Sequence, residues 1–194
     1  MYQTLPNLVL GFHGCSRETY EKVLYYHEEL SSSTNDYDWL GNGIYFWENS
    51  YDRALEWAQT HKAEEEPSVV GAVIDLGFCL NLSDYGCTQA LCQAYELLKL
   101  ESEKTGMKLP KNGGKGDKPL RRLDCAVIER FHKMNKALGR QEHDSVRGIF
   151  MEGNAIYPDA GILEKTHIQI CVRNPNCIKG YFAPKEFNSN FVRI

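Results

Sequence analysis

Two rhythms of apolar and polar positions alternate along this chain, and the switches between them mark out its elements. Leu8 to Phe12 is a short apolar run, read as a buried strand that delivers His13, Gly14 and Cys15 to its end. Tyr20, Val23, Leu24 and His27 then recur at helical spacing behind Ser16, an N-cap candidate, so a helix is predicted to about Leu30. A polar loop over 31–38 leads to Gly41-Asn42-Gly43, a turn that residues tolerant of positive φ make easily. Ile44-Tyr45-Phe46-Trp47 follows, too aromatic for a solvent loop and predicted as a strand. Asn49 or Ser50 caps the next helix, which carries Ala54, Trp57, Ala58 and His61 on one face and ends before Pro67. Val69 to Leu76 reads as a central strand.

The middle of the chain changes character. Helices are predicted over 88–104 and 119–138, joined by a Gly/Lys/Pro loop over 105–118 that is long enough to be functional. Residues 84–140 read as a helical insertion within one domain spanning 1–194. Strand patterns return at 145–151, at 166–173 and from Gly180. Strands gathered at both ends with helices between them predict an α+β fold.

Composition narrows the setting. Hydrophobic residues are 42% and charged residues 25%, the balance of a soluble globular domain. No apolar run reaches the roughly 18 residues that span a bilayer, and the first residues lack the pattern of a secretory signal. The seven cysteines then read as reduced thiols, and the expected location is the cytoplasm. The net charge of −4 conceals an asymmetry: residues 104–140 hold eleven Lys/Arg against three acids. Such a block either meets an anionic partner such as RNA or DNA, or is a solvated helical face.

Candidate chemistry sits at three strand-associated places. His13 with Gly14 is one, where glycine would let a ligand approach the backbone. Tyr45 is another, with a ring able to stack on a flat heterocycle. In the third, His167 and Gln169 share a strand face by alternation, and two polar side chains there need partners or a ligand. A core hydrogen-bond network would explain them equally. Cys15, two residues from His13, allows a thiol-based enzyme on geometry alone. Cys87-x4-Cys92 and Cys171-x5-Cys177 lack the tight spacing of structural zinc sites, so no metal is expected.

LGFHGC, LGNGIYFWENSYDRALEWA and THIQICVRNPNCIKGYF together resemble the poly(ADP-ribose) polymerase-like ADP-ribosyltransferases, in the group whose triad is His, Tyr and then Glu, Asp or Gln. The likeness covers 8–80 and 145–182 and leaves 84–140 unexplained. It implies a split antiparallel sheet and NAD as ADP-ribose donor. It further implies mono-ADP-ribosyl transfer to a protein or nucleic-acid acceptor, as in a bacterial toxin or defence effector restrained by an antitoxin. In that scheme His13 holds a ribose hydroxyl, Gly14 grips the nicotinamide carboxamide and Tyr45 stacks on its ring. Gly43, Trp47 and Trp57 complete the NAD contacts, with Trp57 one position off the usual second aromatic. Gln169 stands where many members carry Glu, with His167 as a candidate base and Glu152 or Glu164 as candidate carboxylates. Since Gln cannot act as a carboxylate base, single transfer is favoured over chain building. The alternative is a catalytically silent module that binds NAD or ADP-ribose.

Overall fold

The aromatic run after the glycine turn lies at the middle of the molecule. In the computed structural model, which describes residues 8–114 and 120–185, seven strands form one mixed, mostly antiparallel sheet accompanied by four α-helices, an α+β fold. The strands are β1 (Val9–Ser16), β2 (Ile44–Glu48), β3 (Pro67–Ile74), β4 (Cys79–Asn81), β5 (Ser145–Phe150), β6 (His167–Val172) and β7 (Ile178–Phe182). The helices are α1 (Arg17–Tyr25), α2 (Tyr51–His61), α3 (Tyr85–Thr105) and α4 (Arg122–Ala137). Spatial order is β4-β5-β6-β2-β1-β3-β7, so β2 holds the centre and β3 is next to an edge rather than central. Only β4 and β5 run parallel.

Several boundaries move. β1 extends to Ser16, so His13 and Gly14 lie within the strand and not at its end. Ser16 does cap α1, its Oγ accepting from Thr19 N at 3.2 Å. That helix stops at Tyr25, five residues early, and His27 turns to φ 58°. β4 is only three residues long, too short to show a period, and has no counterpart in the sequence reading. Lys115, Lys118 and Pro119 lie outside the described residues. Among those described, no helix is long and apolar enough to cross a membrane.

Strand alternation divides the core. On one face Ile44, Phe46, Val70, Ile74, Ile170 and Val172 pack beneath α1 through Val23. Phe46 is fully buried, and burial of a side chain that size stabilises by roughly 1.5–3 kcal/mol. On the other face Val127, Ile128 and Phe131 of α4 close over Leu40, Leu80, Val146 and Cys171. The 84–140 helices thus share a core with the sheet. Beside them, α2 lays Ala54 against Trp47 and Val69.

One seam in this sheet is short. β1 pairs with β3 over eight residues, but with β2 only at Gly11–Glu48 and Phe12–Trp47. Asn49 N–H adds a bond to Leu10 O at 2.9 Å. Beyond Phe12 the two strands part, and neither of the next pairs in register, His13 with Phe46 and Gly14 with Tyr45, is formed.

Candidate functional site

His13 stands where the seam opens. Its Nδ1 lies 2.8 Å from Tyr45 O, so the imidazole spans the gap and its N–H donates to that carbonyl. Burial lowers its pKa and this backbone bond opposes the shift. In an antiparallel ladder, facing residues share a side, so Phe12 and Trp47 point one way while His13 and Phe46 point the other. His13 therefore projects from the opposite face to Tyr45, Trp47 and Gln169. The sheet does not gather His13, Tyr45 and Gln169 into one side-chain cluster; backbone links them.

The other sequence-chosen residues fall into two groups. Tyr45 and Gly43 are bound up in the fold. The Tyr45 hydroxyl donates to Gly41 O at 2.7 Å and accepts from Leu40 N at 2.8 Å, and burial raises its pKa. It fixes the glycine turn. Gly43 exchanges both backbone bonds with Ser33, and a Cβ there would come within 2.5 Å of Cys171 Sγ. Both stabilise the approach to β2, and their polar groups have protein partners.

Trp47, Trp57, His167 and Gln169 form the second group, on the face covered by α2 and α4. Trp47 opposes Gln169 directly in the β2–β6 ladder, and its ring lies 5.9 Å from Trp57 and 6.5 Å from His167. Trp39 and Phe150 close the other side of His167, at 6.4 and 5.9 Å. His167 Nδ1 is 2.7 Å from Lys165 O and 3.5 Å from Glu152 Oε2. Its Nε2 is 3.0 Å from the Gln169 amide nitrogen. Burial lowers the His167 pKa, Arg53 adds to the shift, and the Lys165 carbonyl and Glu152 oppose it. With both ring nitrogens engaged, His167 is not placed as a free base.

Around this pair runs a charged network absent from the sequence reading. Arg53 of α2 bonds Glu152 at 2.8 Å and also pairs with Glu56, which in turn pairs with Lys165. The Lys165 bond lowers the Glu56 pKa most, with Arg53 helping. Glu152 is thus the carboxylate at the site. Glu164 instead accepts from Asn154 N at 3.1 Å and holds the 152–165 loop. Among the described residues, Trp47 Nε1 and Arg53 Nε are buried donors with no hydrogen-bond partner.

A second ion pair fixes the glycine turn. Glu129 Oε1 of α4 accepts from Asn42 N at 2.9 Å and from Arg173 at 2.7 Å. Arg173 also bonds Asn42 O at 3.2 Å. Glu129→Ala would strand a four-fifths-buried guanidinium and free the turn. It is expected to lower the unfolding free energy by about 2 kcal/mol, read by urea denaturation. An unchanged midpoint would show that the turn stands without α4.

Neighbouring features carry less chemistry. Burial pushes the Cys15 thiol up to about 11, which removes the thiolate that nucleophilic attack requires. No three His, Cys, Asp or Glu among the described residues are grouped to hold a metal. A cavity of about 390 Å³ between α3, α4 and Phe150 is lined by apolar groups, with Glu96 and Asp124 as its acids. Among the described residues no basic side chain lines it, so they offer a pyrophosphate no counter-charge there. In the 104–140 block, Arg121 covers the Trp39 ring, Arg122 bonds Asp36, Arg130 clamps Glu101 and Lys136 pairs with Glu142. Part of that basic surplus is spent inside the fold.

No family model matches the chain. A protein of Methanocaldococcus jannaschii, named uncharacterized protein MJ0359, is 27% identical over a 201-residue alignment that covers 87% of this chain and 83% of its own length. No solved structure matches.

Proposed function

We propose that this chain is an NAD-dependent mono-ADP-ribosyltransferase acting on a protein or nucleic acid, in the manner of a bacterial toxin or defence effector. The observation that carries this reading is the opening of the β1–β2 seam at Gly14, between the His13 strand and the aromatic strand. By alternation from the Asn49–Leu10 bond, the Gly14 N–H and C=O point toward β2, the side on which no ladder pair follows. A primary carboxamide such as that of nicotinamide complements one backbone donor and one acceptor. A seam that opens here supports the split-sheet core implied by the sequence resemblance.

In the reaction, the bond from ribose C1′ to the nicotinamide nitrogen breaks and its electron pair leaves with nicotinamide. The oxocarbenium-like centre is captured by an acceptor nucleophile, which gives up a proton. Orientation of the sugar and preorganised dipoles supply most of what a protein can add to such a step. Gln169 brings an amide dipole and Glu152 a carboxylate.

The test is nicotinamide release from NAD by the purified chain, with and without cell lysate. Release is expected to fall at least about tenfold in Gln169→Leu, a loss of one polar contact of about 1.4 kcal/mol. Release unchanged in that variant would remove Gln169 from the reaction. A specific observation favours a second reading, a silent binding module: position 169 holds an amide, already bonded to His167. Saturable NAD or ADP-ribose binding without any release would establish that reading instead.

A further inference from the structure

We infer that His167 is a positioning residue that sets which end of the Gln169 amide is presented to a ligand. The inference starts from two nitrogens 3.0 Å apart, Gln169 Nε2 and His167 Nε2. A contact that short between nitrogens needs one donor and one acceptor. Lys165 O at 2.7 Å and Glu152 Oε2 at 3.5 Å, both acceptors, face His167 Nδ1. The ring proton therefore sits on Nδ1, and Nε2 offers a lone pair. The Gln169 NH2 donates to it, and the amide oxygen, at the other end of the same planar group, is turned away from His167.

An amide oxygen so held accepts a hydrogen bond from a hydroxyl and presents the negative end of its dipole. Here the inference deepens the transferase reading and rests on it: the ligand group is a sugar hydroxyl beside a carbon that gains positive charge. The Trp47 ring, paired across the ladder from Gln169, supplies an apolar flank.

The arrangement also sets a pH sense. A proton on His167 makes Nε2 a donor, and two donors cannot face each other at that distance. The amide then rotates, its oxygen toward His167 and its NH2 outward. Charged groups packed about the ring are Glu152 after β5, Arg53 and Glu56 from α2, and Lys165 before β6. The remaining neighbours, Trp39, Trp47 and Phe150, are neutral rings.

The test is nuclear magnetic resonance on the full chain, uniformly labelled with nitrogen-15. His167 is expected as the Nδ1–H tautomer at pH 8, and the Gln169 side-chain amide signals should shift on acidification with the same midpoint as His167. Gln169→Glu places a carboxylate against Nε2 and should raise the His167 midpoint, because it favours the imidazolium. In His167→Phe, the Gln169 amide should lose its titration while the backbone spectrum stays folded. An Nε2–H tautomer at pH 8, or a Gln169 amide indifferent to His167 protonation, overturns the inference. These signals need no turnover. If they appear while the unaltered chain releases no nicotinamide with or without lysate, the positioning role stands and the transferase reading falls.

Discussion

Gly14→Ala is expected to destabilise the fold by about 3 kcal/mol, the upper range for forcing one methyl into a packed interface. A Cβ on Gly14 would lie 2.3 Å from the backbone oxygen of Ala54 and 3.3 Å from Ala58 Cβ. Ala54 and Ala58 are themselves wholly buried, so β1 and α2 approach almost backbone to backbone. Relief requires α2 to lift by about 1 Å, which loosens packing along the helix. Ala54→Gly in the same chain should not rescue it, because the clashing atom is a carbonyl oxygen that every residue carries. Thermal unfolding is the measurement, with an expected fall of about 6–12 °C for a domain of this size. The variant also separates two roles for this glycine. A glycine kept only for ligand approach would lose NAD binding with its melting point intact.

Acid should weaken the protein well before its carboxylates titrate. His132 is 6% exposed, and burial followed by the nearby Arg173 and His143 pushes its pKa down to about 3. His143, His13 and His167 are lowered too, each chiefly by burial. A histidine held neutral in the folded chain but free to charge in the unfolded one favours unfolding below the unfolded value of about 6.5. Its stabilising contribution is complete above that pH and is lost as pH falls toward the folded value. For His132 that window runs from about 6.5 to about 3. Each such group adds a slope approaching 1.4 kcal/mol per pH unit, so unfolding between pH 7.5 and 5 should become easier by about 2 kcal/mol or more. Urea midpoints at the two pH values measure this. His132→Phe, which also removes an Nε2 with no hydrogen-bond partner among the described residues, should flatten the dependence. A pH response identical to the parent's would clear His132.

Periodicity made most of the fold legible. Ile44 to Trp47 announced a strand by composition, and that strand proved to be the middle of the sheet. α4 was readable from Val127, Ile128 and Phe131, which are among its buried positions. β4 was not, because three residues carry no rhythm, and the end of β1 was obscured by polar His13 and Ser16. Asp84, whose carboxylate accepts from Cys87 N at 3.0 Å, was a cap signal in the sequence that would have started α3 earlier.

The site was legible only as far as local spacing reaches. Alternation placed His167 and Gln169 together on one face, but not the bond between them. Arg53 meets Glu152 across 99 residues, Lys165 meets Glu56 across 109, and Arg173 meets Glu129 across 44. Charges separated that far look like solvated surface in a sequence, since nothing local distinguishes a future partner. The same limit explains His13: strand parity was readable within β1, whereas its relation to Tyr45 depends on a ladder between distant segments.

Considered as a material, the sheet is two ribbons, β7-β3-β1 and β2-β6-β5-β4, stitched by two register rungs, one bond from Asn49 and the His13 side chain's bond to Tyr45 O. So short a joint is a soft line in the cloth, as is the three-pair β4–β5 seam at its edge, and shear along it costs few bonds. Amides bordering that line should be among the first in the sheet to exchange with heavy water, ahead of the eight-residue β1–β3 ladder. Anything that bridged Gly14 and Tyr45 would add a rung where the stitching stops, and would stiffen the whole cloth by joining its halves.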